Sequence, residues 1–246
     1  MTDSFANKRV AITGATGSLG RGMAAAFAAE GADLVLIDLE KGRLEALAET
    51  LPKVRTFVCD QADAVAIART CEAIGPVDVF VNNAGMMQRK ALLDLADVEI
   101  DTIIDVNLKG SLRMAIGMAR QMHRQNGGQG GVIANLATQH IFAGGAGRGL
   151  YASSKAGIAQ YTRAAAVEWA PGGIRVFAVA PGPIANDMTA GARENPDYSA
   201  AVTARMPIGR FLENQEIIDV ILATCRPSMS AIVGTCVVAD GGGTYT

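Results

Sequence analysis

Cysteine is scarce and scattered. Cys59, Cys71, Cys225 and Cys236 form no CxxC pair, which argues against a metal site or a disulfide framework and favours buried thiols in a reducing compartment. Cationic excess is missing too. The net charge of −2 offers nothing to a phosphate backbone, so a nucleic-acid partner is not expected. No apolar run approaches the ~18 residues needed to span a bilayer. The polar start, MTDSFANK, lacks the apolar core of a signal peptide. These absences together predict a cytoplasmic protein with no membrane partner.

What is present is a large apolar fraction, 50% of 246 residues, and 28 glycines. A chain of this size and apolarity can bury a core without staples. Apolar runs alternate with helical stretches from end to end. Strands are predicted at Val10–Thr13, Asp33–Asp38, Val54–Val58, Val77–Val81, Gly131–Leu136, Ile174–Val179 and Gly234–Val238. Helices are predicted at Ser18–Glu30, Lys41–Thr50, Ala62–Ile74, Leu150–Ala170 and Gln215–Cys225. Asp97–Gln125 reads as a long helical stretch broken near Asn107, and Pro181–Met206 as irregular. The strands are continuous rather than alternating, as expected of strands covered on both faces. The prediction is one α/β domain over residues 1–246: a Rossmann-type, doubly wound parallel β-sheet with helices on both faces. Ligands of such sheets bind at the carboxyl ends of the strands. Those ends carry Gly14, Asp38, Asp60, Asn82-Asn83-Ala84-Gly85, Ala137-Thr138 and Pro181-Gly182.

The segment RVAITGATGSLGRG sets Gly14, Gly17 and Gly20 between a strand and a helix. Glycines there let backbone N–H groups and a helix N-terminus approach a pyrophosphate. Tight strand–helix packing alone would also produce them. Asp38 tips the balance, because it ends the next strand, where an acid can bond the adenosine ribose hydroxyls. A carboxylate there also repels a 2′-phosphate, although Arg21 and Lys41 lie close in sequence. Asp60 is either a contact to the adenine edge or an acid near the N-terminus of the following helix.

Tyr151 and Lys155, four apart at the start of a helix, share one face. A nearby ammonium stabilises a phenolate and would lower the Tyr151 pKa, fitting it to exchange a proton with an alcohol or a carbonyl.

These motifs, in order, resemble the short-chain dehydrogenase/reductase family in its compact single-domain branch. The resemblance covers nearly the whole chain: TGATGSLG, Asp38, Asp60, NNAG at 82–85, Asn107 in VNLKG, YASSK at 151–155, PGPI at 181–184, PIGRF at 207–211 and DGG at 240–242. It implies that Tyr151 is the general acid/base, that Lys155 lowers its pKa and holds the nicotinamide ribose, and that Asn107 helps carry a relay water. Thr138 stands where the family has its substrate-orienting Ser. NAD(H) would lie against Gly14, Thr16, Gly17, Ser18, Leu19, Gly20, Asp38, Asp60, Asn83, Ala84, Gly85, Tyr151, Lys155, Pro181, Gly182, Ile184 and Asn186. Three departures accompany the match: Ser18 replaces the usual second glycine, Thr138 the Ser, and Asn186 the Thr after the PG turn.

The resemblance also places the loop holding Gln139, His140 and Arg148 against substrate, together with Met86–Gln88 and a substrate loop at about 186–206. Polar side chains there suggest a sugar, polyol or hydroxy acid as the alcohol/carbonyl substrate. A solvated loop without that role is the plainer alternative, as a hydrogen-bonded structural histidine is for His140. Two rival functions were weighed. A non-catalytic dinucleotide sensor would have no need of Tyr151 and Lys155. An epimerase or dehydratase retaining NAD would want a larger substrate region. The helix at 150–170 is rich in small residues (Ala152, Ala156, Gly157, Ala159, Ala164, Ala165, Ala166) that permit close approach of the chain's own sheet or of another subunit. The resemblance implies a homotetramer, with a dimer second.

Overall fold

The structure, a computed structural model, describes residues 4–245; the first three residues of MTDSFANK and Thr246 lie outside it. Seven parallel strands form one sheet: β1 (Arg9–Thr13), β2 (Asp33–Asp38), β3 (Val54–Val58), β4 (Val79–Asn82), β5 (Gly131–Leu136), β6 (Ile174–Pro181) and β7 (Cys236–Ala239). Their order is β3-β2-β1-β4-β5-β6-β7. The direction of winding reverses beside β1, where Ile12 pairs with Leu36 on one side and Val81 on the other. Chains leaving β1 and β4 therefore part there and open a cleft above the strand ends.

Alternation along the strands explains the two-sided core. Val10, Ile12, Leu34 and Leu36 point to one face and pack with Met23 and Phe27 of α1 (Ser18–Ala29) and with Ile217, Ile218 and Ile221 near the chain's end. Ala11, Val35, Ile37 and Phe80 point to the other, against Met114, Met118, Ile67 and Cys71. Cys59, Cys71 and Cys225 are buried, and Cys236 is half-buried.

Several boundaries differ from the sequence reading. β3 is an edge strand, and Arg55, Thr56 and Val58 are exposed; a continuous apolar run marks double coverage only for central strands. The second helix, α2, spans Lys41–Glu49, and α3 spans Ala64–Ile74. The later start of α3 follows from its cap: the Asp63 carboxylate accepts from Val65 and Ala66 N–H. The segment 181–206 is not wholly irregular. It folds into α7 (Ala190–Arg193) and α8 (Pro196–Ala204), the latter capped by the Asn195 side chain and begun by a proline.

The long helical stretch runs as α4 (Asp97–Ile103), a π-helical turn over Ile104–Gly110, and α5 (Ser111–Met122). The expected break near Asn107 is thus a widened turn, a form that recurs at functional sites. It is followed by α6 (Gly149–Trp169) and α9 (Asn214–Cys225). No helix among the described residues is long and apolar enough to cross a membrane.

Candidate active site

The cleft above the switch in strand order has a volume of about 610 Å³ and is lined by the ends of β1, β2, β4, β5 and β6. Its first wall is the glycine loop. Gly14 has φ +63, and a Cβ there would sit 2.8 Å from Ala84 Cα. At Gly20 a Cβ would meet the Gly14 carbonyl at 2.1 Å. Glycine is what lets the start of α1 press onto the loop. The Gly17 position faces only the Gly14 carbonyl, at 3.5 Å, which leaves backbone open to the cleft.

Asp38 is fixed by that same loop. Its Oδ2 accepts from Thr16 N–H at 2.8 Å and from the Thr16 hydroxyl at 2.9 Å, and Oδ1 accepts from Leu39 N–H at 2.7 Å. Three donors anchor the carboxylate at the cleft wall. Arg21, close in sequence, is turned onto the Thr16 carbonyl at 2.7 Å and reaches Asp187 at 3.4 Å. Lys41 pairs with Glu45, and it is Arg43, two residues on, that lines the cleft. Asp60 also lines it, with Oδ1 accepting from Ala62 N–H at 2.8 Å. The helix cap weighed for it belongs to Asp63. Gln61, absent from the sequence reading, is buried beside it with both amide atoms unpartnered among the described residues.

Asn83 lies at the cleft, but its amide serves the fold. Nδ2 donates to the Thr13 and Gly14 carbonyls at 2.9 and 3.1 Å, while the Thr13 hydroxyl accepts from Asn83 and Ala84 N–H. Sequence pattern cannot tell an amide facing ligand from one stitching two strand ends. Pro181, Gly182, Ile184 and Asn186 close the far wall. The buried Asn186 Oδ1 has no partner among the described residues.

Tyr151 and Lys155 emerge from the first turns of α6, both buried. Thr138, buried two residues beyond the end of β5, has its hydroxyl near enough to the Tyr151 phenol to lower its pKa. Lys155 Nζ donates to the Leu136 carbonyl at 2.8 Å. A Cβ on Gly85 would sit 3.1 Å from Lys155 Nζ and 3.2 Å from Asn107 Oδ1, so these three positions converge. Asn107 is fully buried, with Oδ1 accepting from Met86 N–H and Nδ2 donating to the Met86 carbonyl, each at 2.8 Å. Nδ2 also reaches Ser154 Oγ at 3.2 Å, and Ser154 donates to the Tyr151 carbonyl at 2.7 Å. Asn107 thereby ties the NNAG loop to the helix bearing Tyr151.

The expected lowering of the phenol pKa is not what this geometry gives. Burial raises Tyr151 to about 12, with Thr138 and Arg148 pulling weakly the other way. Burial also depresses Lys155 to about 8. Desolvation outweighs the charge of a lysine that points at Leu136.

The site fits a dinucleotide. It has a cradle that side chains would fill, an acid anchored by three donors at the end of β2 and unpartnered polar atoms along its walls. Among the described residues no group of His, Cys, Asp or Glu could hold a metal. A family model described as enoyl-(acyl carrier protein) reductase matches residues 14–244. The chain belongs to the short-chain dehydrogenase/reductase family. L-xylulose reductase of Bos taurus is 32% identical, with 97% of each chain covered. Galactitol 2-dehydrogenase (L-tagatose-forming) of Cereibacter sphaeroides is 34% identical, covering 94% of this chain and 93% of that one. A solved structure described as an NAD(P)-dependent gluconate 5-dehydrogenase from Beutenbergia cavernae, with NADP at low occupancy, superposes with a TM-score of 0.92 at 28% identity over 100% of both chains. Family and fold thus agree on an oxidoreductase that binds a nicotinamide dinucleotide.

The depressed Lys155 pKa has a sign that can be tested. With a pKa of about 8 in the fold against the ordinary 10.5 of a free lysine, Lys155 binds fewer protons than in the unfolded chain across that interval, so stability rises with pH between them. Below pH 8 the full cost of a buried cation is in force. Lys155→Met should raise the melting temperature by several degrees at pH 7, at about 2–4 °C per kcal/mol, and the gain should fade toward pH 10.5. A gain equal at both pH values would show that no dry cation is being relieved.

Proposed function

We propose that this enzyme is an NAD-dependent dehydrogenase interconverting a secondary alcohol and its ketone on a polar small molecule, namely a sugar, polyol or hydroxy acid. The observation that carries the reading is one cleft with Tyr151, Thr138 and Lys155 at one end and the glycine loop with Asp38 at the other. When bound, the nicotinamide ring supplies the hydride acceptor or donor. Thr138 orients the substrate oxygen beside Tyr151, which as phenolate takes the hydroxyl proton in oxidation and as phenol gives a proton to the carbonyl in reduction. Lys155, held by the Leu136 carbonyl, would bond the ribose of the cofactor through its remaining N–H donors and keep a positive charge near the phenol. Asn107 acts through the Met86 backbone and Ser154 as a positioning residue. Buried thiols at Cys59, Cys71 and Cys225 suit a reducing, cytoplasmic setting.

Tyr151→Phe should lose about 10²–10⁴ in turnover while still binding NADH, because the ring packs as before without a transferable proton. Thr138→Ser should keep activity and Thr138→Ala should lose it at unchanged NADH affinity. The measurement is NADH formation across a panel of alcohols, paired with a fluorescence titration of the cofactor. Near-normal turnover in the Phe variant would point to a binding or regulatory role instead.

Asp38 supports NAD over NADP, since its anchored carboxylate would face a 2′-phosphate, while Arg21, also at the cleft, is engaged by the Thr16 carbonyl and Asp187. NADH should bind at least about tenfold tighter than NADPH, one power of ten being about 1.4 kcal/mol. Asp38→Ala should narrow that gap. Equal or tighter binding of NADPH by the parent would reject this role for Asp38, and Arg43 would be the next residue to change.

We further infer a homotetramer built on the outer face of α6, where Ala164 and Trp169 border a second cavity with Leu112 and Ile116 of α5. Light scattering at micromolar concentration should return four chain masses; a monomer would exclude the assembly.

A further inference from the structure

The outer end of the cleft, beyond Tyr151 and Thr138, is built from four separate segments. Arg89 comes from the loop after β4, His140 from the loop after β5, Arg148 from the entry to α6, and Tyr198 from α8. Arg148 is their hub. Its Nη1 donates to His140 Nε2 at 2.7 Å, and its Nη2 donates to the Tyr198 hydroxyl. Arginine can only donate, so His140 Nε2 accepts and the ring is neutral. Burial and the charges of Arg148, Arg89 and Arg205 hold its pKa down at about 4. The Arg89 guanidinium lies 5.1 Å from the centre of the Tyr198 ring, and that of Arg148 5.9 Å from the same centre.

Two guanidiniums thus share one aromatic ring beside an imidazole that cannot take a charge of its own. Three arginines of the chain are paired with carboxylates: Arg21 with Asp187, Arg210 with Glu216, Arg226 with Glu30. Neither Arg89 nor Arg148 has a carboxylate partner among the described residues. Like charges gathered in a half-enclosed cleft make it attractive to an anion. Arg148 has five donors, of which two hold His140 and Tyr198. The remainder, with those of Arg89, match the two oxygens of one carboxylate.

We propose that Arg89 and Arg148 bind the carboxylate of an acidic substrate, so that the physiological substrate is a polyhydroxy acid or its keto form rather than a neutral polyol. This rests on the dehydrogenase reading above. Similarity does not choose between the two classes, because the relatives include a galactitol dehydrogenase and a gluconate dehydrogenase. In the reaction the carboxylate is unchanged. Bound NAD⁺ would accept the carbinol hydrogen as hydride, the O–H proton would pass to the Tyr151 phenolate, and the C–O bond would become C=O.

The test is calorimetric titration of the NADH-loaded enzyme, which cannot oxidise an alcohol, with six-carbon aldonates, the corresponding alditols and alditol phosphates. The aldonates should bind on the order of tenfold tighter than the alditols, a charge-assisted difference. The double variant R89Q/R148Q should erase that margin with little change for the alditols, and R89K/R148K should restore part of it. Alditols binding as tightly as aldonates to the parent, phosphates binding tighter than either, or variants that weaken all three alike would overturn the proposal. NADH formation is then followed with NAD⁺. Selective aldonate binding without NADH would leave the carboxylate site standing and remove the dehydrogenase reading. Equal turnover of aldonates and alditols would do the reverse.

Discussion

The reversal of winding beside β1 is the constraint from which the site follows. A parallel sheet that changes direction cannot cover the carboxyl ends of the two strands at the reversal, because their loops leave in opposite directions. Here the opening is held by a small polar knot. The Thr13 hydroxyl accepts from two consecutive N–H groups after β4, and the Asn83 amide returns two bonds to the end of β1. Gly14, at positive φ, lets Ala84 approach where a Cβ would collide. The cleft is open because the topology demands it, and its walls are rigid because those bonds leave the strand ends no freedom to part.

Rigidity continues into the reactive end. The π-helical turn at 104–110 delivers Asn107 to the Met86 backbone, and Ser154 links Asn107 to α6. Tyr151 and Lys155 therefore sit on a helix tied to the NNAG loop, in surroundings dry enough to push their pKa values in opposite directions. Both shifts favour the neutral form. The Thr138 hydroxyl and the Arg148 charge are what oppose burial at the phenol. The Tyr151 phenol is tuned by Thr138, just beyond β5, and by Arg148 at the mouth of α6.

Sequence made one end of this site legible and the other only in outline. The glycine loop, Asp38 and the Tyr151–Lys155 pair depend on local chemistry: a turn that tolerates no Cβ, an acid at a strand end, two residues one helical turn apart. Such features survive being read one segment at a time. The exposure of β3 was not legible, because it depends on which strand lies outermost rather than on the residues VRTFV themselves. Nor was the structural duty of Asn83, which needs the neighbouring strand end to be visible. The segment after Pro181 hid two short helices, since α7 is four residues long and α8 shows its signal only in the Asn195–Pro196 start.

The outer end of the cleft follows from the same reasoning. His140 and Arg148 lie in a loop whose polarity was apparent, yet their meaning comes from Arg89 and Tyr198, which are some fifty residues away on either side. A guanidinium in isolation is a solvated charge; two of them over one ring, beside a neutral imidazole, gather positive charge that an anion can meet. The cofactor end is set by backbone approach and strand ends, which every member of this fold must share. The proposed substrate end draws on side chains contributed from four segments outside the sheet. That is why family membership settles the class of reaction here while the substrate has to be argued from individual residues.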